Sequence, residues 1–273
     1  MHSLYASSSV SGGCGVPYRW LASKCYREDE LEQESIQSDS LYDDVTHSLS
    51  YYARHYWITH VQKCEEESTN DRLSALLKRF LGSPVESSPA YQRWHRMITK
   101  DNYNWPSFSG HHFKLDDLEP ASSASFAICA FGLYTILSGW WDSPWTENVH
   151  VNKRGSSLLQ LAAIAGSVSI CRRLIDWGAE VNKQLRSGDY GSALAAAAYR
   201  GNKEVVRLLI ESGADVNAQL QVGKYGSALA AAANEGNKEI VRLLIESGAT
   251  LDAPQRNSED IVKGLVRDNN NKE

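Results

Sequence analysis

The chain has 273 residues and no apolar run approaching the roughly 20 needed to span a bilayer. Its first residues, MHSLYASSSVSGG, lack the basic and apolar stretches of a secretory leader. No G-x-x-x-x-G-K-[ST] occurs anywhere, so a backbone cradle and lysine for nucleotide phosphates are not expected. Positive charge is also short: 28 Lys and Arg against 33 Asp and Glu leave a net charge of -5. That excludes nucleic-acid binding by bulk charge, which needs a basic face to neutralise phosphates. The five cysteines (Cys14, Cys25, Cys64, Cys129 and Cys171) are odd in number and widely spread. They make no disulfide framework and fit a reducing compartment. The expectation is a cytoplasmic chain, with the nucleus as the alternative, and no membrane, nucleic-acid, nucleotide, metal or cofactor partner.

What is present is self-similarity. The segment GDYGSALAAAAYRGNKEVVRLLIESGADVNAQ returns as GKYGSALAAAANEGNKEIVRLLIESGATLDA. Gly191, Gly201 and Gly213 recur 35 residues on, at Gly226, Gly236 and Gly248. The same step backwards from Gly201 and Gly213 lands on Gly166 and Gly178, in SSLLQLAAIAGSVSICRRLIDWGAEVN. A fixed period of this length marks a stacked repeat protein.

Each unit has a physical reading. Ser192 N-caps a short first helix whose Leu194 and alanines permit close packing. Gly201 ends it, Asn202 caps a second helix, and Glu204 stands favourably in that helix's first turn. Val205, Val206, Leu208, Leu209 and Ile210 cover most of the second helix, leaving only Lys203, Arg207 and Glu211 as a polar stripe. A helix this apolar must be covered by neighbours on both sides. Gly213 supplies a left-handed stop, and Asp215 to Tyr225 form an extended, hairpin-like finger to the next unit.

The GSALAAAA stretch followed by EVVRLLIESGADVNA resembles the ankyrin repeat family, and the likeness runs from Ser156 to Ala253. Two departures stand out. Ala195 and Ala230 replace the family's usual histidine, and each unit has 35 residues where the family has about 33. Longer fingers are the expected result. A fourth, divergent unit precedes these: SSASFAICAFGLYTILSGWWD aligns Gly132 with Gly166, before Gly139, Pro144 and Trp140, Trp141 and Trp145 break the pattern. After the repeats, SEDIVKGLVRD forms a capping helix from Ser258, followed by a polar tail.

The N-terminal half divides differently. Residues 1–40, rich in Ser, Gly and acidic side chains, read as disordered. From Leu41 to Val61 apolar residues recur at helical spacing. Asp71 to Leu81 predicts a second helix stopped by Gly82, and Ser88-Pro89 starts a third. YYARHYWITHVQ, LLKRFLGSP and YQRWHRM are similar to the helical segment of fungal NACHT-ankyrin proteins, receptors of the NOD-like architecture. The likeness covers Ser40 to Lys100, and it implies the sensing portion of such a receptor, without the NTPase engine that the missing phosphate loop would serve.

The expected fold is all-α: an ankyrin-repeat solenoid preceded by a small helical region. The expected segments are 1–40, 41–117 (helical), 118–150 (divergent repeat), 151–253 (three repeats) and 254–273 (cap and tail). His55, His60 and Cys64 spread over different helix faces and His111-His112 has no partner spacing, so all are expected to be surface or packing residues. Cys171 aligns with Val206, a core position, and the three tryptophans are expected to pack the divergent unit against the helical region.

Residues 179–213 and 214–248 agree at 27 of 35 positions. Beyond the conservative Glu180/Asp215 and Val205/Ile240, they differ at Lys183/Ala218, Arg186/Gln221, Ser187/Val222, Asp189/Lys224, Tyr199/Asn234 and Arg200/Glu235. The equally exposed stripe Lys203, Arg207, Glu211 is identical to Lys238, Arg242, Glu246. In the ankyrin family the differing positions line the concave, partner-facing surface. Lys183, Arg186, Ser187, Asp189, Tyr199, Arg200, Gln221, Val222, Lys224, Asn234 and Glu235 are therefore the expected partner-binding residues. The implied function is protein binding, not catalysis, within a receptor-like or scaffold protein. A truncated receptor remnant without a dedicated partner, and regulatory or enzymatic chemistry in the N-terminal half, remain as alternatives. Isothermal titration with ATP or GTP is expected to give no binding heat; micromolar binding would reveal an unconventional phosphate site.

Overall fold

A computed structural model describes residues 57–65, 71–100, 115–145, 152, 155–185 and 189–250. Residues 1–40, the helix expected ahead of residue 57, His55, His111, His112 and the capping helix expected from Ser258 lie outside them. The described residues are helical, with no strand among them. The helices are α1 (57–65), α2 (Asp71–Leu81), α3 (Pro89–Lys100), α4 (Ser125–Phe131), α5 (Leu158–Ala165) and α6 (Val168–Asp176), then α7 (Ala193–Arg200), α8 (Lys203–Glu211), α9 (Ala228–Asn234) and α10 (Lys238–Glu246). Two 3-10 turns, Leu115–Leu118 and Ser138–Trp141, interrupt the order.

The helices form two layers. In one, α4, α5, α7 and α9 stack side by side; in the other, α6, α8 and α10 do so, each second helix lying against the first helix of its own unit. Composition sets this geometry. α7 and α9 are mostly alanine, and Ala195 to Ala198 are fully buried, because small side chains let backbones approach on both flanks. The second helices bury Val205, Val206, Leu208 and Leu209 while Arg207 and Glu211 face outward.

Local signals start and stop each helix. Ser157, Ser192 and Ser227 each accept a bond from the backbone N–H three residues on, at 3.1 Å. Gly201 takes a left-handed φ of 77°, and its N–H returns to the carbonyl of Ala198. A Cβ there would also press on the Asn237 amide at 3.2 Å.

Asn202 corrects an expectation. It stands at the N-cap of α8, yet its side chain makes no capping bond. Its amide instead donates backwards, to the carbonyls of Ala163 (2.7 Å) and Ile164 (3.2 Å) at the end of α5. Asn237 does the same to Ala198 and Tyr199. These asparagines satisfy the orphan carbonyls of the preceding unit's first helix, so they join units instead of starting helices. The fingers carry a second such ladder: Asn182 bridges Gly213 and Asp215, and Asn217 bridges Gly248 and Thr250.

Among the described residues the unit holding α4 has no second helix of its own; the Ser138–Trp141 turn stands in that place. Help comes from α1. The Glu65 carboxylate accepts the backbone N–H groups of Tyr134 (2.9 Å), Thr135 and Ile136 (2.8 Å). Gln62 donates to Phe131 O, and Ser74 of α2 donates to Ile136 O. Trp57 sets its ring edge-on to Phe80, Trp94 and Phe131, at 5.3, 5.5 and 5.9 Å, tying α1 to α2, α3 and α4.

Trp141 and Trp145 also depart from expectation. Trp141 and Trp145 pack on each other and on Trp177, which follows α6 in the next unit, and Tyr134 flanks Trp141. Their rings meet the following unit because the missing second helix leaves the Trp177 side open, while α1 to α3 use their own aromatics.

Two stability results follow. Leu209 is fully buried, so Leu209→Ala should cost about 2–5 kcal/mol in urea denaturation, whereas exposed Arg207→Ala should stay within about 0.5 kcal/mol. Glu65→Ala should cost about 1–3 kcal/mol, since it strips the acceptor from the Thr135 and Ile136 N–H groups. Equal midpoints for Leu209→Ala and Arg207→Ala would overturn the assignment of helix faces.

Candidate functional site

The positions that differ between the two near-identical units gather where the fingers meet the ends of α7 and α9. The finger is closed at its root by Leu185 N–H to Gly191 O and, one unit on, Leu220 N–H to Gly226 O. Neighbouring fingers are joined by Lys224 N–H to Asp189 O at 2.9 Å and by the Gln184 amide to Gln219 O at 3.1 Å. Gly191 permits this closeness: at φ 72°, a Cβ would run into the carbonyl oxygen of Val222.

On this scaffold lies a row of rings. Tyr190 and Tyr199 have centroids 5.0 Å apart, and Tyr199 and Tyr225 5.4 Å. Asn234 continues the row by donating to the Tyr225 hydroxyl at 3.2 Å and to Glu235 at 3.1 Å. Tyr190 is buried, Tyr199, Arg200 and Tyr225 are half-buried, and Asn234, Glu235 and Lys224 are exposed. The structure thus brings Asp189, Tyr199, Arg200, Lys224, Asn234 and Glu235 together.

The other expected residues are placed less centrally. Lys183 reaches Glu180 in its own finger at 3.7 Å, Gln221 is exposed and Val222 half-buried. Arg186 and Ser187 lie outside the described residues. Tyr190 and Tyr225 went unnoticed because they are identical in both units, and a comparison of differences passes over a constant residue. Their signal was the Tyr-Gly that recurs before α7 and α9.

Electrostatics mark the row as a crowded polar surface. Burial, helped by Glu235 and Tyr225, pushes the Tyr199 phenol up to about 12. Burial also raises Tyr190 and Tyr225, with Asp189 adding to both. Desolvation pulls the Arg200 guanidinium below its ordinary value, against the pull of Tyr190, Tyr199 and Glu235.

Among the described residues, the cysteine and histidine candidates stand apart from this surface. Cys171 is buried where Val206 stands one unit later, and burial pushes its thiol up to about 12, far from a nucleophile's range. Cys64 is a core residue and His60 lies half-buried on α1. Among the described residues no three His, Cys, Asp or Glu side chains group to hold a metal ion, and no helix is long and apolar enough to cross a membrane.

In comparisons with known proteins, the family model described as ankyrin repeats (3 copies) matches residues 133–220 and 159–255. No match is found among curated proteins.

The phenols give a pH test. A phenol that keeps its proton to about 12 when folded, but loses it near 10.0 when unfolded, adds stability that is complete below pH 10 and lost as pH climbs towards 12. The denaturation midpoint should fall across that window, and less so for Tyr199→Phe, which keeps the ring and has no proton to lose. A flat profile would contradict the shift.

Proposed function

The region 133–255 is an ankyrin-repeat solenoid, and from that premise we propose that the chain binds a partner protein through the face made by its fingers and the ends of α7 and α9. Ankyrin repeats are in general non-catalytic modules of protein interaction. The observation that carries this reading is a contrast within one chain. Lys203, Arg207 and Glu211 are identical to Lys238, Arg242 and Glu246 on the outer layer, whereas Asp189/Lys224, Tyr199/Asn234 and Arg200/Glu235 change character on the ring-lined face. The outer stripe has a structural use: Lys203 pairs with Glu239 of the next unit at 2.9 Å, and Arg207 with Glu204 at 3.3 Å. The ring-lined face tolerates exchange because its side chains lie above a buried alanine layer that does not change.

Binding proceeds by rigid display. The stacked helices fix the curve, the finger residues meet the partner, and a stable footprint takes on the order of 800 Å² on this side. Tyr199 and Arg200 are the anchors, since Tyr and Arg dominate interface energies. A receptor-like or scaffold setting in the cytoplasm draws its support from the likeness of residues 40–100 to the helical segment of fungal NACHT-ankyrin proteins.

The test uses a partner captured by affinity from the native cell. Tyr199→Asn with Arg200→Glu installs the residues of the next unit, so the fold should survive, while affinity should fall by more than about 1 kcal/mol. Unchanged affinity, together with its loss on substituting Lys203 or Glu211, would place the binding surface on the outer layer.

A further inference from the structure

We propose that residues 258–266 lie as a single helix over the flank of α9 that faces away from α7, closing the first-helix layer of the stack while leaving α10 half open. Burial that the described residues do not supply by themselves points to this cover, which is separate from the partner-binding face.

The observation lies in α9. Ala228, Leu229, Ala230, Ala231, Ala232 and Ala233 are all buried. At 3.6 residues per turn, six consecutive positions go round the whole helix, so every side of α9 is covered. α5 and α7 show the same all-round burial, and each has a first helix on both flanks: α4 and α7 beside α5, α5 and α9 beside α7. For α9 the described residues supply α7 on one flank and α10 behind, and they end at Thr250. The flank away from α7 is nevertheless closed to solvent. α10 differs. Leu243 is half-buried, whereas Leu208, its equivalent one unit earlier, is buried. The cover therefore reaches the first-helix layer and stops short of the second.

Residues 258–266 suit that flank. Ser258 lies eight residues beyond Thr250, a tether that extends to about 26 Å, and neighbouring helices pack only about 8–10 Å apart. From Ser258, a good N-cap, Ile261, Val262, Leu265 and Val266 fall at i, i+1, i+4 and i+5, on one helix face. Side chains of this size fill the shallow surface that alanines present. Gly264 weakens the segment as an isolated helix, so its order depends on docking. The run NKEVVRLLIE at 202–211 returns as NKEIVRLLIE at 237–246, and residues 251–273 contain no third copy, so they provide a first-layer helix and no second. The N-terminal residues start at the other end of the stack, because α1 bonds to the unit holding α4, three helix spacings from α9.

Hydrogen exchange read by mass spectrometry on the full chain tests this. Val262→Asp with Leu265→Asp should speed exchange in α9 by about tenfold or more and leave α5 within about twofold. Asn270→Asp, a charge added to the polar tail, should change neither. Unchanged α9 exchange in the double variant would overturn the proposal. So would α9 protection that falls on about tenfold dilution of the unaltered chain, which would assign the cover to a second copy. If α5 loosens together with α9, trypsin on the unaltered chain decides. Cleavage after Lys263 about tenfold slower than in a free peptide of residues 257–269 upholds the cover, and an equal rate overturns it.

Discussion

A helix carrying Val205, Val206, Leu208, Leu209 and Ile210 in six consecutive positions cannot stand alone in water, and its burial between neighbouring units is the interaction on which the rest of the structure depends. Everything on the ring-lined face presupposes it. The buried alanines of α7 and α9 are identical because they must fit the helices on either side, and Asn202 and Asn237 lock the spacing by filling carbonyls that α5 and α7 leave open. With packing and spacing settled below, the residues above can change without disturbing the fold.

The same dependence explains the N-terminal helices. Among the described residues the unit holding α4 shows no second helix, and its backbone N–H groups from Tyr134 to Ile136 take their acceptor from outside the unit. Glu65 takes them, and the edge-on contacts of Trp57 close the apolar side. A carboxylate bonded to backbone N–H groups is a strong, charge-assisted contact, and the Gln62 amide beside it, donating to Phe131 O at the end of α4, does for the first unit what an asparagine does for the later ones. Residues 57–100 and the repeats are therefore one continuous packed body among the described residues.

How much of this was legible in the sequence depends on how far each signal travels along the chain. The helices of the repeats, their serine caps and their glycine stops were legible, because each is decided within a few residues and then printed again 35 residues later. The backward reach of Asn202 was not. Asparagine is a good N-cap and a good bridging donor, and only the third dimension chooses between them. A clue existed: the equivalent residue in the first unit is Ser167, which does cap its helix and is too short to bridge. Glu65 was invisible for another reason, since its partners lie about 70 residues away with no pattern linking them. Of the candidate site, the varying members were legible by comparing the two units, whereas Tyr190 and Tyr225 were hidden by their constancy.

The bonds between units span 31 to 39 residues, and those from α1 to the unit holding α4 span 69 to 71. Closure entropy grows only logarithmically with loop length, so this doubling costs about 0.6 kcal/mol. Chain topology thus adds little entropic cost to docking the N-terminal helices. During synthesis α1 to α3 leave the ribosome first, and α4 emerges to find Trp57, Gln62 and Glu65 already present. Each later unit then meets a packed flank, and its asparagine, Asn202 or Asn237, completes the bonds that the unit made before it leaves open.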